Sequence, residues 1–425
     1  MTQTTPARQT PVRPGAAGPD GTRTSGRTRA GSVLGQWNSA VTSYYVLTGA
    51  TMLLVVLGLV MVLSSSSVDS LADGDSPYAV FLSQAQYALI GLPMMWVASR
   101  LPVRFYKSFA WFILGGALVL QLLVYVPGIG YAVGGNRNWI HLAGFTAQPS
   151  EAVKLALAIW LGAVLARKRP LLRDWRHAAV PALPVAGLSV GIVLIGHDLG
   201  TAMVMMLLVA GALWVAGVPM RIFLVAAVAA AGGAVLLAIA SPNRVARIVD
   251  WFGADCDKLG GCYQTTHGLQ ALATGGWGGL GLGQSREKWS YLPMAHNDFI
   301  FAIIGEELGL IGTLLVLVLF ALLAFAMFRV IARHPDPFVQ VTTAGIAAWV
   351  IGQALVNTGV VIGLLPVIGV PLPLVSAGGS ALIMTMAAMG VVISFARAEP
   401  GAAEALAARP GVVRRSLAVI GRTRA

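Results

Sequence analysis

Charge is scarce in this chain. Only 11% of its 425 residues are Asp, Glu, Lys or Arg, while 56% are hydrophobic and the mean hydropathy is +0.76. A soluble globular domain carries about 25% charged residues, so a soluble fold is excluded and a polytopic membrane protein is expected. Acidic residues are scarcer than basic ones, 17 against 29, giving a formal net charge of +12. Such an excess suits nucleic acid when it lines one surface. Here 22 of the 29 Lys and Arg fall in segments that the spans below place on one side of the membrane. That is the positive-inside asymmetry, and no nucleic-acid partner is expected. Two cysteines, Cys256 and Cys262, and no histidine pair near them exclude a four-ligand zinc site. Residues 1–43 lack an apolar core with a cleavage site, so a cleaved signal peptide is not expected. They read as a disordered, basic cytoplasmic tail, and residues 399–425 read as a second basic tail. No internal repeat supports inverted-repeat symmetry.

What is present is hydrophobic length. Apolar runs at 44–63, 81–99, 108–126, 149–166, 180–195, 199–218, 222–240, 299–328, 339–364 and 377–395 predict about ten transmembrane helices. The fold class is therefore an all-α polytopic membrane domain over 44–398 with both termini cytoplasmic. Arg100, Arg104, Lys107, Arg167, Lys168, Arg169, Arg329 and Arg333 then face inward, and Asp69, Asp73 and Asp75 outward. Between the seventh and eighth spans lies one long outer loop, 241–297. It is glycine-dense yet aromatic (GLQALATGGWGGLGLG), which implies backbone packed closely against something. An outer location permits a Cys256–Cys262 disulfide, and two free thiols are the other reading.

The chain is organised around WSYLPMAHNDFIFAIIGEELG, residues 289–309. Asp298 stands where the eighth span begins, after His296. Glu306 and Glu307 interrupt the same apolar run about 12 Å further along at helical rise. A carboxylate at membrane depth is costly and marks a functional site. Asp298 at the lip is placed to take a proton from a substrate at the surface; helix capping is its bland alternative. In QPSEAVK, Gln148 and Ser150 flank Pro149, which suits a first helical turn. Glu151 and Lys154, three apart, share a face and can pair. Arg137 and Lys154 together suit a phosphate or diphosphate, or simply lock helices and lipid headgroups. Asp198 in GHDLGT is a natural N-cap. Asn357 and then Pro371, Pro373, Ser376, Gly378 and Gly379 break the end of the ninth span. Irregular backbone at that depth must be buried or line a cavity, and its N–H groups are expected to face an anionic oxygen.

Read together and in order, NRNWIHLAGFTAQPSEAVK, GHDLGTA, YLPMAHNDFIFAIIGEELG and NTGVVIGLLPVIGVPLPLVSAGGS closely resemble the SEDS (shape, elongation, division and sporulation) family over residues 45–397. The wording is closer to division-type members of actinobacteria than to the rod-shape type. The resemblance implies a peptidoglycan glycosyltransferase that polymerises lipid II outside the cytoplasmic membrane, with polyprenyl diphosphate as leaving group. It also implies a class B penicillin-binding protein and other division proteins as partners, and a septal location. It places the catalytic aspartate on Asp298 and basic positions on Arg137 and Lys154. Three departures touch the substrate contacts: Met294 stands where the family often has Glu, Asn138 separates Arg137 from Trp139, and His197 replaces a usual Pro.

A diphosphate leaving group is already a stable anion. It needs cations rather than a second carboxylic acid, so Arg137, Lys154 and Lys288 complete the expected inventory. No cofactor is certain and no metal-ligand spacing is visible, although Mg or Mn bridging the diphosphate fits the chemistry. A lipid II flippase and a non-catalytic division scaffold are the competing classes. Neither requires Asp298 as a base.

Overall fold

The computed structural model describes residues 41–72, 74–133, 135–142, 145–172, 174–239, 262–289 and 291–407. The two tails beyond these limits, and Cys256 within the long loop, lie outside the described residues. The helices are α1 Thr42–Ala72, α2 Ala79–Arg100, α3 Val103–Leu122, α4 Pro149–Lys168, α5 Trp175–Ala179, α6 Ala182–Ile195, α7 Leu199–Ala216, α8 Met220–Ile239, α9 Tyr263–Gly275, α10 Ile300–Arg333, α11 Pro337–Val361, α12 Gly379–Arg397 and α13 Ala402–Ala407. Among the described residues, eight helices are long and apolar enough to cross a membrane: α1 to α4, α7, and α10 to α12. The 14-residue α6 and the helix α8 stand where the fifth and seventh spans are expected.

Local chemistry explains the helix ends. Helix α4 opens on Pro149 with Glu151 in its first turn and closes on Arg167 and Lys168, matching the helix dipole at both ends. Asp198 caps α7 by accepting the Thr201 N–H at 2.9 Å. Asp336 does the same for α11 through the Phe338 N–H. Helix α4 is buried on all sides, among α3, α6, α7, α11 and α12. Around it α2 packs along α12, α7 along α11, and α1 along α10. Exposed apolar rows spaced three and four apart, such as Leu224, Val225 and Val228 or Ile311, Leu314 and Leu315, form the outer face. Such a surface suits a lipid environment.

Three features depart from the sequence reading. First, the domain is not wholly helical. The stretch ahead of α4 forms an antiparallel sheet of β1 Gly130–Val133, β2 Asn136–Leu142 and β3 Phe145–Ala147. Cross-strand pairing satisfies backbone groups that a bare loop would leave to solvent. Second, part of the long outer loop is the helix α9, laid against α10.

Third, α10 is one 34-residue element broken at Gly309 (φ 67°, ψ −162°). At one end of the bundle Arg329 Nε donates to Ser43 Oγ; at the other Ser64 Oγ donates to Glu307. Ser43 and Ser64 lie 21 residues apart on α1, about 32 Å at helical rise, which is close to the ~30 Å hydrocarbon thickness. Glu307 therefore lies about one hydrocarbon thickness from Arg329 along the bundle, beside the break at Gly309.

Candidate active site

Asp298 lies half-buried immediately before α10, whose cap position is Phe299. Its backbone is fixed from α11: Asn357 Nδ2 donates to the Asp298 carbonyl at 2.7 Å and to the Val370 carbonyl at 2.8 Å. Its carboxylate faces Gly369, where a Cβ would stand 3.5 Å from Oδ2. Gly369 has φ +76°, so a side chain there would strain the backbone while meeting the acid at ordinary van der Waals distance.

Residues 362–378 run without a helix between α11 and α12. Their carbonyls and N–H groups are held by neighbouring side chains. Ser376 Oγ donates to the Asn297 carbonyl at 2.6 Å and accepts the Leu372 N–H at 2.8 Å. The Ala377 N–H donates to the His296 carbonyl. From α2, Gln84 donates to the Ser376 carbonyl and accepts the Gly378 N–H, both at 3.1 Å. The expectation that Ser376 and Gly378 offer N–H donors to an anion is thus corrected. The Ser376 N–H bonds the Leu372 carbonyl and the Gly378 N–H bonds Gln84, because a buried irregular segment must satisfy its own backbone first. Gly379 packs against the Tyr87 ring, with no room for a Cβ unless the ring shifts. Pro371 presents its carbonyl to Gln353, and Pro373 opens the turn that follows.

A second cluster adjoins this one. Gln148 and Asn138 both donate to Asp198 Oδ2, at 2.9 and 2.7 Å, while the other carboxylate oxygen caps α7. The Gln148 N–H reaches Ser380 on α12. Arg137, half-buried on β2, donates through Nε to the Val124 carbonyl, and its N–H donates to the Gly196 carbonyl. The two clusters meet where Gly200 of α7 abuts Ile368 and Val370. Ser150, fully buried, has an Oγ without a hydrogen-bond partner.

The expected cations behave differently from one another. Lys154 is 1% exposed and pairs with Glu151 at 2.7 Å. It also lies over the Trp349 ring and reaches Gln353 Oε1 at 3.4 Å. Lys288 is buried with Glu307 at 3.3 Å, the Gly283 carbonyl at 2.8 Å and the Ser64 carbonyl at 3.2 Å. Neither is an open cation for a diphosphate in this conformation, since removing either from its carboxylate would strand a buried charge. Glu306, also fully buried, accepts from Ser285 Oγ and from the Arg286 N–H. This network anchors the outer loop to α1 and α10.

His296 Nδ1 stands 3.5 Å from Asp69 Oδ2, an ion-pair distance without hydrogen-bond geometry. Burial pushes the His296 imidazole below its ordinary value, and Asp69 only partly offsets this. Cys262 is disulfide-bonded, in line with the disulfide reading, and Cys256 lies outside the described residues. Sequence reasoning passed over Gln84, Gln353 and Ser64. The available signal was an amide or hydroxyl inside an apolar helix, and for Gln353 its position one turn before Asn357.

A family model described as "cell cycle protein", covering FtsW, RodA and SpoVE, matches residues 45–400. The chain belongs to the SEDS family. Among SEDS relatives it is 41% identical to the probable peptidoglycan glycosyltransferase FtsW of Mycobacterium tuberculosis over 399 residues, 94% of this chain and 76% of that one. It is 35% identical to stage V sporulation protein E of Bacillus subtilis over 347 residues, 82% of this chain and 95% of that one. Among solved SEDS-like structures, one chain belongs to a peptidoglycan synthase complex described as coordinating polymerization and crosslinking. It matches with TM-score 0.68 at 29% identity, over 83% of this chain and 97% of that one. The rod shape determining protein RodA of Thermus thermophilus matches with TM-score 0.63 at 29% identity, over 84% and 97%.

Proposed function

We propose that this SEDS chain is a peptidoglycan glycosyltransferase that polymerises lipid II at the outer face of the cytoplasmic membrane. The FtsW relatives carry that activity in their names. The observation that carries the proposal is Asp298, a half-buried carboxylate at the head of α10 whose backbone Asn357 fixes from α11. In the proposed step the acceptor sugar's 4-oxygen forms a bond to the donor's anomeric carbon as the bond from that carbon to the diphosphate oxygen breaks. Asp298 takes the hydroxyl proton as general base, and the electron pair leaves with the polyprenyl diphosphate. Arg137, on β2, is the cation assigned to that anion.

Gln148, Asp198 and His296 lie around the same end of the bundle and are assigned to positioning the sugars. Ser150, Ser376, Gly378 and Gly379 are assigned to shaping the site rather than to donating to the anion. Among the described residues no three His, Cys, Asp or Glu side chains converge as a metal cage. Mg or Mn therefore enters only as a companion of the diphosphate, and no step is routed through it.

The neighbouring synthase complex supports a crosslinking partner, for which a class B penicillin-binding protein is proposed. Septal location, other division proteins as partners and cytoplasmic termini belong to the same proposal. The test is polymerisation of labelled lipid II by the purified chain, with and without its transpeptidase. Asp298→Asn is expected to abolish glycan strands while leaving the thermal transition and partner binding unchanged. Strand synthesis by Asp298→Asn would overturn the base assignment. Lipid II transport without any strands, from wild type and variant alike, would favour a flippase.

A further inference from the structure

Two amides one helical turn apart on α11 hold the irregular segment from below. Asn357 Nδ2 bonds the Asp298 and Val370 carbonyls. Gln353 Nε2 bonds the next carbonyl along, that of Pro371, at 2.8 Å. Gln353 is 3% exposed, and its Oε1 accepts from Trp349 Nε1 at 3.0 Å and from Lys154 Nζ at 3.4 Å. Lys154 in turn is held by Glu151 at 2.7 Å. The contacts form one buried chain, from the Glu151–Lys154 ion pair on α4, through Gln353 on α11, to adjacent carbonyls behind Asp298.

A Gln amide is directional, accepting through oxygen and donating through nitrogen. With Lys154 and Trp349 both donating to Oε1, the nitrogen is left to face Pro371. The Trp349 N–H and the Lys154 charge thus together fix which way the Gln353 amide points. Neither Pro371 nor Pro373 carries an N–H with which to pin this segment, and the Gln353 and Asn357 amides hold the Pro371 and Val370 carbonyls instead.

We infer that Gln353 is a positioning residue that couples the buried Glu151–Lys154 pair to the placement of Asp298. Lys154 on this view influences the reaction without touching the diphosphate. The inference rests on the proposed glycosyltransferase reading, and it has a readout that does not.

The test uses the full-length chain with its transpeptidase partner and compares wild type, Gln353→Met, Lys154→Met, the double variant and Gln353→Glu. Steady-state lipid II polymerisation should show kcat falling at least tenfold in each single variant, with KM within about twofold. The double variant should be no slower than the slower single one, because both changes cut the same chain. Gln353→Glu keeps the acceptor for Lys154 but turns a carboxylate towards the Pro371 carbonyl, so it should lose kcat despite a strengthened ion pair.

Hydrogen exchange by mass spectrometry supplies the independent readout. Peptides spanning 366–378 and 294–300 should exchange faster in Gln353→Met, and peptides of α12 should not. A KM rise with unchanged kcat in Lys154→Met would mean that Lys154 meets substrate directly and would overturn the coupling. Unchanged exchange in both peptides would overturn it too, whether or not the wild type polymerises. If Gln353→Met fails to fold, Gln353→Glu carries both measurements. Failure of the wild type to make strands, with the exchange changes present, would count against the glycosyltransferase reading alone.

Discussion

Single side chains here are governed by what burial does to hydrogen-bond capacity. Asn357 is 2% exposed yet serves two carbonyls from one nitrogen. Unmaking either bond would leave a buried acceptor unsatisfied, at a cost of about 1–3 kcal/mol. His334, in the turn between α10 and α11, shows the same rule acting on a titratable group. Its Nδ1 accepts the Asp336 N–H at 3.1 Å, which requires that nitrogen to be unprotonated. Burial pushes the imidazole below its ordinary 6.5. A histidine depressed in the folded state favours the neutral form. Its contribution is full above about pH 6.5 and is lost as pH falls through that value towards the folded pKa. His296 shifts in the same direction. Thermal unfolding in detergent between pH 5 and 8 should therefore show wild-type stability falling below about pH 6.5, with His334→Gln falling less steeply. Equal slopes would mean that His334 does not carry the acid sensitivity.

Among the elements, one close union joins the Gly-rich loop to the broken helix α10. Gly279 (φ +78°) has no room for a Cβ, which would stand 2.1 Å from the Glu307 carbonyl. Gly309 (φ +67°) is likewise closed by Gly279 and Trp277. The break frees backbone groups of α10, and the loop takes them up. The Leu280 and Gly281 N–H groups donate to the Glu306 and Glu307 carbonyls, while the Leu310 and Ile311 N–H groups donate to Gly276 and Trp277. Glu307 adds a side-chain lock, accepting from Ser64 of α1 and from Lys288 of the loop. Glu307→Gln would leave Lys288 buried without its counter-charge. A loss of about 3–5 kcal/mol is expected, read as a lower unfolding midpoint and faster proteolysis within 276–289. An unchanged midpoint would show that the Gly283 and Ser64 carbonyls suffice for the ammonium.

For the whole molecule, sidedness follows from where charged and polar contacts gather. One end holds the Lys107–Asp336 pair at 2.8 Å, Arg169 with Gln340, and Arg397 with the Ser99 carbonyl. The sheet, Asp298 and the outer loop occupy the other. If the basic end faces the cytoplasm, His141→Cys should react with a membrane-impermeant thiol reagent on intact cells, and Arg169→Cys only after permeabilisation. The reverse pattern would invert the proposed topology and place Asp298 on the wrong side for an extracytoplasmic substrate.

The sequence by itself determined the membrane class and the places of the long helices, and it singled out Asp298 as the candidate acid. Each follows from local signals: hydrophobic length, capping chemistry, and a carboxylate that an apolar run would not otherwise contain. It also marked Glu151 and Lys154 as a pair, because helical spacing fixes neighbours three apart. Tertiary structure alone decided what that pair touches, that Lys288 belongs to Glu307, and that Ser376 and Gly378 use their donors within the fold. Those outcomes depend on contacts such as Lys154 with Gln353, 199 residues apart. Which buried polar group meets which is set by how the helices pack, and no local pattern encodes it.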